Sequence, residues 1–283
     1  MPANTKKRKK TTSTAKTKTK KGGNSKKKKK NNKKYDKKTI IILSVCVLSV
    51  IALFVIIFTV KGSHTRNNPV NLKGDIAWGV DVSAHNGKIN WEKVSQKAEF
   101  AFIRVGYSGW AKGETNADKK AKYNLSQANK YKVPAGVYYY SQATNEKEAK
   151  KEAEFLLKKI KGYDVSLPVV IDFEYPTRGK KRIGRLHMAH LSKKEKTAVI
   201  NAFCDRVRKE GYTPGVYAST SVYESELNVK DFPKDVFIWV ADYNKKNTYS
   251  GYYDIWQYSD SGTCKGIKSS DVDLNYFYIK NRL

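Results

Sequence analysis

Six consecutive residues constrain this chain more than any others. Val169, Val170, Ile171, Asp172, Phe173 and Glu174 form a short apolar run, directly after Pro168, that closes on two carboxylates. The β-branched residues favour extended backbone and the run is too short for a helix, so it predicts a buried strand of a parallel sheet. Side chains alternate across a strand, which turns Asp172 and Glu174 to one face and Phe173 to the other. Two carboxyl groups sharing a face repel each other, and at least one pKa rises toward the range of a general acid at neutral pH. A D-x-E pair taken alone is usually a solvated strand end. The apolar run ahead of it argues instead for the C-terminal rim of a barrel or doubly wound sheet.

The chain ahead of this strand changes character twice. Residues 1–38 carry eighteen Lys or Arg against one acid, Asp36, with almost nothing apolar, and predict a disordered basic tail. From Ile40 to Val60, twenty-one residues pass without a charge, the length a helix needs to cross a bilayer core. A cleaved signal peptide would have a shorter apolar region and a small-residue cleavage site, and a buried core helix would show polar positions at a 3.6-residue period. The expectation is therefore an uncleaved signal-anchor over 39–60, a polar linker over 61–74 and an outer domain over 75–283. The basic tail lies in the cytoplasm by the positive-inside bias. Attraction of its lysines to anionic inner-leaflet lipid explains the tail better than nucleic acid, because only Tyr35 interrupts it as an aromatic.

From residue 75 onward short apolar strands alternate with amphipathic helical stretches, the pattern of an α/β fold. Strands are expected at 77–82, 100–106, 133–141, 169–174, 214–218, 236–241 and 253–258, with a last one starting near Val272. Helices are expected at 91–96, 118–131, 146–160 and 193–210, and a basic loop at 178–190. Seven or eight strands in about 210 residues suggest a barrel whose later strands leave little room for helices.

The residues that can carry chemistry recur at strand ends: Asp81 after the first, Asp172 and Glu174 after the fourth, Asp242 after the sixth, Asp271 and Asp273 around the last. If the strands are parallel, these converge on one mouth. Tyr138, Tyr140, Tyr217, Trp239, Tyr243, Trp256 and Tyr258 share those ends. Carboxylates among aromatic rings suit a polysaccharide, whose sugars present C–H faces to stack and hydroxyls to hydrogen-bond. Core packing is the plainer reading for most of the rings taken singly.

Seven segments resemble, in order and spacing, the glycoside hydrolase family 25 lysozymes: WGVDVSAHNGKINW from Trp78, FAFIRVGY from Phe100, AGVYYYS from Ala135, VVIDFE from Val169, PGVYAS from Pro214, IWVADYN from Ile238, and DIWQYSDSG with DVDLNYF toward the end. The resemblance implies a modified TIM-like barrel, five β/α units followed by three strands. It also implies an N-acetylmuramidase that cleaves the β-1,4 bond between N-acetylmuramic acid and N-acetylglucosamine of peptidoglycan with retention. By the same resemblance the family's acids fall on Asp81, Asp172, Glu174 and Asp273. Glu174 is then the general acid and base, and Asp172 either the nucleophile or the support of a substrate-assisted intermediate. Asp81 and Asp273, with Tyr138 and Tyr140, position substrate or tune the pair. Trp239, Tyr243, Trp256 and Tyr258 are candidates for stacking sugars. The family commonly has a histidine where Tyr139 stands here, and the 178–190 loop is longer and more basic than usual.

No cofactor is expected. His187 and His190 stand three residues apart with no carboxylate at ligand spacing, so no metal site is assigned. Cys204 and Cys264 could pair across the outer domain, though no spacing argues for it. Peptidoglycan glycan strands and anionic wall polymers are the expected partners. The rival from another class is a non-catalytic wall-binding module on the same barrel.

Overall fold

In the computed structural model the residues described are 36–39, 41–42, 44, 46–49, 72 and 74–279. The expected tail, the apolar span and most of the linker lie largely outside them. The described residues between 37 and 49 are helical, and among the described residues no helix is long and apolar enough to cross a membrane.

Eight strands close a barrel. They are β1 (Ile76–Val82), β2 (Phe100–Ser108), β4 (Ala135–Tyr140), β5 (Val169–Asp172), β8 (Pro214–Ser219), β9 (Phe237–Ala241), β10 (Ile255–Gly262) and β11 (Val272–Tyr278), in that order around the ring. Pairing of β1 with both β2 and β11 closes it, and a short β3 (Thr115–Ala117) hangs on β2. Helices follow the first five barrel strands: α1 (Trp91–Val94), α2 (Ala121–Lys130), α3 (Glu146–Ile160), α5 (Lys193–Lys209) and α6 (Thr220–Glu226). Among the described residues the last three strands have none, so the expected five-plus-three architecture is what the chain folds into. The expected basic loop is instead a small hairpin, β6 (Thr177–Arg178) with β7 (Lys181–Arg182), followed by α4 (Gly184–Met188).

Strand alternation builds two apolar layers. Val169, Ile171 and Phe173 face the helices, while Val170 joins Phe100, Phe102, Phe237, Trp239 and Phe277 inside the barrel. Gly79 and Gly136 are interior positions emptied of side chain. A Cβ on Gly79 would lie 2.6 Å from Phe100, and one on Gly136 would overlap the Phe102 ring. The helices are set by their caps: Asn145 accepts from the Glu148 N–H at the start of α3, and Ser192 with Glu195 forms a capping box on α5.

Two further expectations change, and one question that the sequence leaves open is answered. α2 begins at Ala121 rather than 118, because the Asp118 carboxylate is taken by the N–H groups of Lys120 and Ala84 and by Arg104. β11 runs antiparallel to both neighbours, so its N-terminal end, not its C-terminal end, reaches the mouth. Cys204 and Cys264 are both free thiols.

Candidate active site

A cavity of about 870 Å³ opens at the C-terminal ends of the parallel strands. Asp81, Tyr138, Tyr140, Asp172, Glu174, Trp239, Tyr243 and Asp273 all line it, although they come from five different strands and their connections. On β4 the parity of the strand decides which tyrosines take part: Tyr138 and Tyr140 turn inward, and Tyr139 packs outward against Phe155 of α3. β5 ends at Asp172, and the Phe173 N–H continues the ladder to the carbonyl of Tyr217 at 2.9 Å. Glu174 thus leaves the sheet just where it meets the cavity. Its backbone oxygen accepts from Gln142 Nε2 at 3.2 Å, which steadies the turn.

The four carboxyl groups differ in what surrounds them. Asp81 Oδ2 accepts from Gln257 Nε2 at 2.9 Å and Asn275 Nδ2 at 2.8 Å. Burial raises its pKa to about 6 against the opposing pull of those two amides. Asp273 sits across the β1–β11 rung from Asp81, and burial followed by the Asp81 charge raises it to about 9. Glu174 rises to about 7, first by burial and then by Asp81, with Arg104 pulling the other way. Asp172 is raised well above the ordinary carboxylate range, by burial and then by Glu174 and Asp81, and its Oδ1 is buried with no hydrogen-bond partner among the described residues. Carboxyls this close titrate as one set, and at neutral pH the cluster retains protons.

Arg104 places positive charge beside this set. Its Nε donates to Asp118 Oδ2 at 2.9 Å, and its charge lowers both Asp172 and Glu174. Arg104, Gln257 and Asn275 were missed from the sequence, although each lies on a strand at the parity that points inward.

Two proposed sugar platforms are elsewhere. Trp256 and Tyr258 have the opposite parity to Gln257, so they lie on the outer, helix-free face of the barrel. There Trp256 Nε1 donates to the Asp242 carbonyl, Trp78 Nε1 donates to Tyr258 Oη, and Tyr258 stacks on Tyr276. Trp239 does line the cavity, but at 1% exposure it is floor: Phe102, Tyr138 and Tyr217 pack around it, and its Nε1 donates to Asn275 Oδ1. Asp242 is no part of the cavity lining. Burial would raise it, but hydrogen bonds from Thr248 and Asn244 win and hold it at about 2 as the anchor of its own loop.

A buried proton-bearing carboxyl beside a second one, in a cleft edged by aromatic rings, is equipped for acid-assisted cleavage of a glycosidic bond. Known proteins agree. The chain is 30% identical over 121 residues to a lysozyme of Lactococcus phage mv1, covering 41% of this chain and 57% of that protein. It is 26% identical over 213 residues to lysozyme M1 of Streptomyces globisporus, covering 70% and 67%. Among solved structures it is similar to the modular autolysin LytC of Streptococcus pneumoniae, determined with a synthetic peptidoglycan ligand: TM-score 0.59, 30% identity, 72% of this chain and 47% of that one. A family 25 glycosyl hydrolase from Bacillus anthracis gives a TM-score of 0.58 at 27% identity, with 71% and 88% covered. The chain therefore spans only about half the length of the phage lysozyme and of the autolysin. The family profile described as glycosyl hydrolases family 25 matches residues 80–267, two thirds of the sequence, and the chain belongs to that family.

Proposed function

We infer that residues 75–283 hydrolyse peptidoglycan as an N-acetylmuramidase, cutting the β-1,4 bond between N-acetylmuramic acid and N-acetylglucosamine with retention. The observation that carries this reading is Glu174, a carboxyl raised to about 7 at the wall of a cavity of about 870 Å³ edged by aromatic rings, with Asp172 two residues away lining the same cavity. Glu174 donates its proton to the leaving glycosidic oxygen as the C–O bond breaks. It then takes a proton from the water that attacks the anomeric carbon, which restores the starting state. Asp172 supports the positive charge that develops at that carbon. Its unpartnered Oδ1 suits the N–H of the substrate's own acetamido group, whose carbonyl oxygen bonds the anomeric carbon as the glycosidic C–O bond breaks and is displaced again when the water attacks. Release of new reducing ends from purified peptidoglycan, with mass analysis placing them on muramic acid, tests the reading. Ends on glucosamine, or none, would refute it.

The proposed setting is a single-pass membrane anchor with the tail inside and the enzyme outside. Its support is the uncharged run from Ile40 to Val60 behind eighteen basic residues. Subtracting that tail from the whole-chain +30 leaves +13, so the remainder is basic in its own right. A basic domain is drawn to anionic wall polymers, and the tail to anionic inner-leaflet lipid. Protease added to wall-stripped cells should remove residues 75–283 and spare the tail; protection of the domain until the membrane is broken would reverse the orientation.

A further inference from the structure

Trp110 sits in the connection between β2 and β3, and its indole is 49% exposed while lining the same cavity as Asp172 and Glu174. An exposed indole usually rides on a loose loop, but this one does not. The Gly109 N–H donates to the Glu114 carbonyl at 2.9 Å, the Gly113 N–H to the Gly109 carbonyl at 2.8 Å, and the Arg185 N–H to the Trp110 carbonyl at 2.8 Å. Gly113 has φ +74°, and a Cβ there would lie 2.6 Å from the Arg185 guanidinium. Arg185 is itself tied down by Glu148 and by the Gln142 carbonyl. The helix that carries it, α4, follows the β6–β7 hairpin directly after β5. That segment pins the backbone beneath Trp110.

The position in the ring is informative as well. β2 and β9 are four strands apart in a barrel of eight, so they stand on opposite sides of the mouth. Tyr243, just beyond β9, is 51% exposed and lines the cavity from that side, with its Oη donating to Gln257 Oε1 at 2.7 Å. β5 and β11 are likewise four strands apart, so the Asp172 and Glu174 pair faces Asp273 across the other diameter. A glycan laid from Trp110 to Tyr243 therefore passes between the two sets of carboxyls.

We propose that Trp110 is a stacking platform for a pyranose ring, forming an outer sugar subsite at the β2 end of the cleft and making the enzyme selective for long glycan strands. A ring presented on pinned backbone binds without the cost of ordering a loop, and the apolar face of a sugar covers indole surface now left in water. This subsite rests on the glycan-hydrolase reading of the same cavity.

The test compares the full chain with Trp110→Ala and Trp110→Phe on soluble glycan strands of graded length, following reducing ends. For long strands, Trp110→Ala should raise KM by roughly 3- to 10-fold, the equivalent of one aromatic stack, with kcat unchanged. The shortest fragment that is cut should show no change, and Trp110→Phe should recover most of the loss. Binding of long strands to a Glu174→Gln background should weaken by the same factor. Unchanged KM on long strands, an equal loss on the shortest fragment, or a Phe variant as poor as Ala would each overturn the subsite. A parent protein that releases no reducing ends would sink the hydrolase reading instead, while Trp110-dependent binding of long strands would still uphold the platform.

Discussion

Asp81 and Asp273 stand directly opposite each other on the antiparallel neighbours β1 and β11, and both carboxyl groups turn into the cavity. Like charges on one rung destabilise a sheet, and here the rung is buried. The pair holds together because the two carboxyls do not ionise together: Gln257 and Asn275 favour the charge on Asp81, which leaves the proton with Asp273.

The cost of that arrangement depends on pH. A carboxyl whose folded pKa is raised stabilises the fold fully below its unfolded value, and that contribution is lost as pH rises through the folded pKa. For Asp273 the window runs from about 4 to about 9. Asp273→Asn removes the titration and keeps the shape. Its unfolding free energy relative to the parent should improve by at least about 1 kcal/mol across that window. Parallel denaturant melts at pH 4, 7 and 9 measure this, and a constant difference would show that Asp273 is not held protonated.

Glu174 is expected to limit the alkaline side of the activity profile. The proton donor must be protonated, so kcat/KM should fall as pH rises above about 7, where burial and Asp81 place its titration. Glu174→Gln keeps the size and loses the transferable proton. Its rate should drop by roughly 10²- to 10⁴-fold with the fold intact, and what activity remains should lack the limb near pH 7. A folded Gln variant at parental rate would take Glu174 out of the mechanism.

Asp172 should not form an ester with the sugar. Its buried, unpartnered Oδ1 suits the amide N–H of the substrate's acetamido group, which leaves the attack on the anomeric carbon to that group's carbonyl oxygen. Asp172→Asn should slow turnover by about 10²-fold or more. Mass spectrometry of the parent after incubation with a fluorinated sugar substrate should find no adduct. An adduct on Asp172 would make it a direct nucleophile.

Much of this was legible in the sequence because the barrel depends on parity, which sequence displays. Val170 and Asp172 face in and Phe173 faces out for the same reason that Tyr138 and Tyr140 line the cavity and Tyr139 does not. The same rule, applied one residue later, would have excluded Trp256 and Tyr258 and found Gln257. What parity cannot supply is the direction of β11, which depends on the 263–271 connection turning the chain back. Nor does it reveal the mounting of Trp110, whose support comes from Arg185, seventy-five positions away. Asp242 misled because an acid after a strand reads alike whether it meets substrate or caps its own loop.

Glu152 offers a last test of how buried carboxyls shape this domain, because it lies outside the cavity lining. On α3 it accepts from Ser108 Oγ and Ser141 Oγ, each at 2.6 Å, and from the Gln142 N–H at 3.2 Å. These contacts tie the ends of β2 and β4 together behind the cavity. Burial nevertheless raises its pKa to about 7, more than the three hydrogen bonds lower it. Its stabilisation is complete below an unfolded value near 4.5 and is lost as pH rises through about 7. Glu152→Gln can keep the Oε1 contacts with Ser108 and Gln142 and turn its amide toward Ser141, at a cost that does not vary with pH. The difference in unfolding free energy between this variant and the parent should therefore shift in the variant's favour by about 3 kcal/mol between pH 4.5 and pH 8, the equivalent of the raised pKa. Chemical denaturation of both proteins across that range gives the slope directly. A flat difference would mean that Glu152 titrates no higher in the folded protein than in the unfolded chain.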